Sequence, residues 1–155
     1  MRSDWILGVA VGWHELNKRR ILYGGLYSGL IMNIGEAFLR AKLLARETDL
    51  LYQNHDLPFP SPGISLLILV VATFLLGIAS IWIYAAIRPR FGKGPRSALL
   101  AGIIVWGLAH LWSGVYLGAA YSGIIPATLA WIPVAWGFME VLVATLAGAA
   151  IYKEE

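Results

Sequence analysis

The sequence predicts an all-α transmembrane four-helix bundle, and three observations carry that prediction. Hydrophobic residues make up 59% of the 155-residue chain and charged residues 14%, whereas soluble domains are just under half apolar and about a quarter charged. The apolar residues gather into four runs, each close to the roughly 20 residues that a bilayer crossing needs. Basic residues cluster at the ends of those runs, where membrane orientation requires them. The four runs use up most of the chain, so residues 1–155 read as a single transmembrane domain.

The first span is residues 21–39, ILYGGLYSGLIMNIGEAFL, preceded by Lys18, Arg19 and Arg20. The second, residues 64–87, carries no charge. The loop RPRFGKGPR follows with Arg88, Arg90, Lys93 and Arg96, four cations placed to touch anionic lipid headgroups. The third span is residues 97–118. The uncharged link AAYSGIIP leads to the fourth, residues 127–152, with Pro126 suited to a helix start and Pro133 expected to kink the interior.

Lys18–Arg20, RPRFGKGPR and Lys153 fall on one side. The positive-inside rule then gives an up-down-up-down order with both termini cytoplasmic. Arg40, Lys42 and Arg46 dissent, because they fall on the opposite side. They are expected on a continuation of the first helix along the membrane surface, with Leu39, Leu43, Leu44, Leu50 and Leu51 as its apolar side. Pro58, Pro60 and Pro62 should stop any helix before the second span. The N-terminal WILGVAVGW is too short to span and makes a poor secretory signal, since Arg2 alone is a weak basic region. It is expected to lie at the interface, with Trp5 and Trp13 among the headgroups.

Ionisable groups at bilayer depth are costly and turn inward. Glu36, His110 and Glu140 are the ones here, joined by Asn33 three residues before Glu36. At 1.5 Å per residue, Asn33 lies about 18 Å in, Glu36 about 23 Å, His110 about 20 Å and Glu140 about 18 Å, so all four fit one layer. Four uses compete. The layer ties helices together, or it forms a proton or ion pathway, or its two carboxylates and one imidazole hold a metal, or it makes the polar contact to a lipid, quinone or other ligand. A di-iron site is disfavoured because neither glutamate begins a Glu-x-x-His pair. A bis-histidine haem is disfavoured because His110 is the one histidine within a span. The chain has no cysteine, which excludes disulfides, thiolate metal sites and a thiol nucleophile. No cofactor and no metal are expected. The net charge of +3 sits at span ends, so nucleic acid is not an expected partner.

Small residues at four-residue spacing (Gly25 and Gly29, Ala98 and Gly102, Ala144 and Gly148) allow helix backbones to approach closely. They serve packing within the chain or contact with a second membrane protein.

Asn33-Ile34-Gly35-Glu36, the run Tyr84-Ala85-Ala86-Ile87-Arg88-Pro89-Arg90-Phe91-Gly92, Gly94-Pro95, and Trp136-Gly137 with Glu140 resemble a family of short, four-span bacterial integral membrane proteins. The similarity covers residues 24–153. It implies a multi-pass protein of the bacterial inner membrane and brings no activity with it. The leading expectation is a non-enzymatic structural or accessory subunit of a membrane complex, or a homo-oligomer. The alternatives are a proton-coupled or small-solute transporter using Glu36, His110 and Glu140, and a membrane-embedded enzyme or binder acting on a lipid or quinone.

Overall fold

The computed structural model describes residues 17–59 and 62–152. The N-terminal stretch expected at the interface lies outside them, as does Lys153. The described residues are helical nearly throughout, with no strand among them. Helix α1 is Lys18–Phe38, capped by Asn17, whose side chain accepts from the Arg20 N–H at 3.1 Å. A π-helical turn, Leu39–Leu44, carries it into α2, Ala45–Asn54. Helix α3 is Pro62–Phe91. Helix α4, Pro95–Trp106, passes through a second π-helical turn, Gly107–Leu111, into α5, Trp112–Ala120. Helix α6 is Ala127–Ile151 and runs on through Pro133.

Three stretches are long and apolar enough to cross a membrane: Gly63–Phe91, Pro95–Ala120 and Ala127–Ile151. Helix α1 is not among them. It carries Lys18, Arg19, Arg20 and Glu36 within its 21 residues.

The first π turn has a readable cause. Leu39 and Leu44 are both buried. Five residues apart on an α-helix they would point about 140° away from each other. A π turn, bonded from i to i+5, stacks them on one side. The surface continuation expected after the first span is thus a continuous helix, but its leucines divide. Leu39 and Leu44 turn inward, while Leu43 and Leu50 stay exposed.

The connection between α3 and α4 needs glycine. Gly92 and Gly94 have φ of 84° and 129°, a region that costs an L side chain strain. The Gly92 N–H bonds back to the Arg88 carbonyl at 2.9 Å, and the Ser97 hydroxyl donates to the Gly92 carbonyl at 2.7 Å.

Packing is uneven along the helices. One apolar cluster joins Ile21 at the start of α1, Ile81, Tyr84 and Ala85 late in α3, Ala98 and Ala101 early in α4, and Ala149 with Tyr152 at the close of α6. A second joins Met32, Val105, Val141 and Ala144. By contrast, α3 has no buried residue from Gly63 to Leu76. The helices are close-packed at the end where α1 begins; at the other end α3 stands away, while Gly114 of α5 still lies against Ala130 and Val134 of α6.

The small-residue faces are taken up inside the chain. Gly25 and Gly29 lie against Ile78, Phe74 and Gly77 of α3, and Gly148 lies against Gly24 and Ser28. Where backbones meet this closely, Ser28 and Ser80 share a buried hydroxyl contact at 3.3 Å. Ser28→Ala is expected to cost about 0.6 kcal/mol, the average for interhelical hydrogen bonds in membranes, measured as a small fall in the thermal midpoint in detergent. A loss several times larger would mean that the pair carries more than one such bond.

Candidate functional site

The polar layer forms where α1, α4 and α6 all depart from regular helix. Glu36 lies just before the first π turn, His110 lies within the second, and Pro133 interrupts the hydrogen bonding of α6. Such turns cluster at functional positions because they re-aim side chains that an α-helix would direct elsewhere. Here they bring Glu36 and His110 together, with Nε2 3.7 Å from Oε1. That is an ion-pair distance, longer than a hydrogen bond. The other carboxylate oxygen of Glu36, Oε2, meets Nε of Arg40 at 3.3 Å. Each oxygen of Glu36 therefore faces a nitrogen of a basic side chain.

Glu140 approaches from α6 and is buried. The Trp136 indole N–H donates to its Oε2 at 2.5 Å. Two glycines make room for the cluster. A side chain at Gly35 would meet the Glu140 carboxylate, and one at Gly137 would meet the His110 ring. The layer thus joins α1, the second π turn and α6. Asn33 faces another neighbour: its Nδ2 donates to the Gly29 carbonyl at 2.8 Å and reaches the Val70 carbonyl of α3 at 3.5 Å.

Asn33, Glu36 and His110 line a cavity of about 870 Å³ between α1, α3 and the helices that follow the second π turn. Glu140 is not in its wall. The α3 side is mainly apolar, with Leu66, Leu69, Val70 and Phe74; Arg40 and Thr48 stand at the end nearer α2. This volume falls within the 300–1,000 Å³ of small-molecule sites, and a mostly apolar wall with a few convergent polar groups is their usual chemistry.

Two partners in this site were not singled out from the sequence as part of the layer, although spacing could have found both. Arg40 lies four residues after Glu36, and Trp136 four before Glu140, so each pair shares a helix face. Trp136 also stacks on Phe38, with ring centroids 5.4 Å apart. No spacing rule would have found the π turns.

The basic loop divides. Arg90, Lys93 and Arg96 are exposed, as headgroup contact requires. Arg88 is buried, with its guanidinium 5.5 Å from the Tyr152 ring centre, so it joins helix ends rather than reaching outward. Among the described residues no group of three or more His, Cys, Asp or Glu gathers closely enough to hold a metal ion. Ser113, the hydroxyl close to His110, donates to the His110 carbonyl at 3.0 Å and not to its ring. No protein-family model, curated protein or solved structure matches this chain.

Proposed function

We propose that this is a four-span protein of the bacterial inner membrane, up-down-up-down with cytoplasmic termini, that holds an amphiphilic molecule in the groove between α1, α3 and α5. The cluster at the close-packed end supports the topology, because it combines the start of α1, the close of α3, the start of α4 and the close of α6. Exposed Lys18, Arg19, Arg90, Lys93 and Arg96 flank those helix ends, a charge distribution that suits the cytoplasmic face and anionic headgroups. Helix α1 fits as the fourth span. Its 21 residues reach about 31 Å, and Glu36 is paired with Arg40 and His110 rather than isolated in lipid.

The observation that carries the binding role is the cavity itself, apolar along α3 and polar along Asn33, Glu36 and Arg40. A binding role needs such a space, whereas a network that only tied helices together would have no use for it. We take the role as non-catalytic: among the described residues Ser113 donates to the His110 carbonyl and not to its ring, and each oxygen of Glu36 faces a basic group. Gentle extraction from native membranes, followed by mass spectrometry, tests the role. One tightly retained amphiphile per chain is expected, and it should be lost in Leu69→Trp, which fills the groove. Bulk membrane lipid alone, in unchanged proportions in both proteins, would remove the support.

A second reading, the accessory subunit or homo-oligomer, rests on α3. Its unburied half presents Ile64, Leu67, Ile68, Val71 and Leu75 along one face that does not line the groove. A partner helix would find a continuous apolar stripe there. Native mass spectrometry of the same preparation separates the readings, because an accessory subunit would carry a stoichiometric protein partner.

A further inference from the structure

We infer that the molecule in the groove is an acyl amphiphile with an oxyanion head, a carboxylate or a phosphate, held by Arg40. This rests on the groove being a binding site, as proposed above, and adds the orientation and chemistry of its occupant.

Length is the first argument. Arg40 lies 19 residues beyond Ile21 on α1 and the π turn, about 28 Å along the axis. In a hydrocarbon layer of about 30 Å that is the far interface. The groove runs back from Arg40 to Leu30 on the same helix, a further ten residues or about 15 Å. That is the depth of one leaflet. A molecule seated in it has its head at the interface and its chain ending near the midplane, against Leu30, Phe74 and Leu76.

Hydrogen-bonding capacity is the second. The Asn33 amide donates to two carbonyls, and the Thr73 hydroxyl donates to the Leu69 carbonyl at 2.9 Å. Both oxygens of Glu36 face basic nitrogens, Oε2 at Arg40 and Oε1 at His110. Arg40 differs. Its Nε meets Glu36 while its side chain stays 55% exposed. A guanidinium has five N–H donors in a planar fork, so the edge with the two terminal nitrogens remains for a second acid. A bidentate oxyanion matches that edge, and a neutral hydroxyl would leave most of it unused.

Charge placement is the third. Arg40, Lys42 and Arg46 lie on the side that the positive-inside rule leaves poor in cations, and Lys42 and Arg46 are exposed beside Arg40. Lys42 and Arg46 do not line the groove and are offset by Glu47 and Asp49, so the cation that meets a head group is Arg40. Glu36 opposes an anion there, but it lies one turn deeper and is already paired with Arg40 and His110. Glu47, on α2, is approached by the Thr128 hydroxyl at 3.5 Å.

The test is equilibrium binding to the full chain in a mild non-ionic detergent, with three probes sharing one oleoyl chain: oleate, oleoyl lysophosphatidate and monoolein. Oleate, lysophosphatidate or both should bind about tenfold more tightly than monoolein, as expected for a charge-assisted pair. Arg40→Gln should remove that advantage and leave monoolein binding unchanged, while Arg40→Lys retains part of it. Which acid binds more tightly tells a fatty acid source from a phospholipid source. Equal binding of all three probes, or an Arg40→Gln protein that still prefers the acids, overturns the inference while the groove stands. If monoolein and both acids fail to bind, or Leu69→Trp changes none of their affinities, the groove is not a binding site and both proposals fall.

Discussion

Gly77→Val is expected to be the most damaging single substitution in the described helices. Any side chain at residue 77 would run into the backbone of Gly29 and the carbonyl of Gly25. Backbone cannot swing aside as a long side chain can. The two helices would have to separate along the whole contact from Gly25 to Gly29, which also loosens Ile78 and Phe74 from the other face. Overpacking in a fitted interior typically costs 1–3 kcal/mol, and a clash with backbone belongs at the upper end, about 3 kcal/mol. Thermal unfolding in detergent, followed by tryptophan fluorescence, measures this loss. Gly63→Ala is the control: it lies on the same helix with nothing within 4 Å of the added carbon, and should be neutral or slightly stabilising through helix propensity. If Gly77→Val melts with the native protein, the close approach of α1 and α3 is wrong.

Glu36→Ala should have the next largest effect. It leaves His110 and Arg40 facing each other without the carboxylate between them. Removing one partner of a buried pair costs 3–5 kcal/mol in soluble proteins. Arg40 is half in solvent or headgroups and can turn outward, so about 2 kcal/mol is expected here. A cycle with His110→Ala isolates the direct term, which should be about 1 kcal/mol on the scale of membrane hydrogen bonds. Additive single losses would show that the 3.7 Å approach is mere proximity. Glu36→Gln keeps the shape and should cost less than Glu36→Ala. In proteoliposomes it also discriminates function: a proton-coupled transporter would lose its flux with Glu36→Gln, whereas a binder of amphiphiles would have no flux to lose.

The sequence carried the helical content well, because long apolar runs admit few alternatives to helix in lipid. It located Glu36, His110 and Glu140 for the same reason, since a charge in such a run stands out against its neighbours. It missed Arg40 as a member of the site because residues 40–46 read as a surface segment, and only the pairing across one helical turn ties Arg40 to Glu36. It treated Arg88 as one of four equivalent loop cations, but Arg88 is buried beside Tyr152. That contact joins two helix ends 64 positions apart, and no local pattern encodes it. The small-residue spacings were open between internal and external use, and the contacts of Gly25, Gly29 and Gly148 assign them to the interior.

The sequence by itself determined that this chain is helical, suited to a bilayer, and furnished with a few ionisable groups at one depth. Those properties follow from composition and spacing along single helices, where hydrophobicity and the 1.5 Å rise are enough. Which side chains meet was decided by the tertiary structure. Two π turns rotate Leu39, Leu44 and His110 to faces that regular helices would not give them, and Gly35 and Gly137 clear the space in which Glu140 and the His110 ring lie. The groove exists because the glycine contacts draw α1 and α3 together from Phe74 onward, while α3 from Gly63 to Leu76 has no buried residue. Close approach is a property of two surfaces at once, so neither helix's sequence alone contains it.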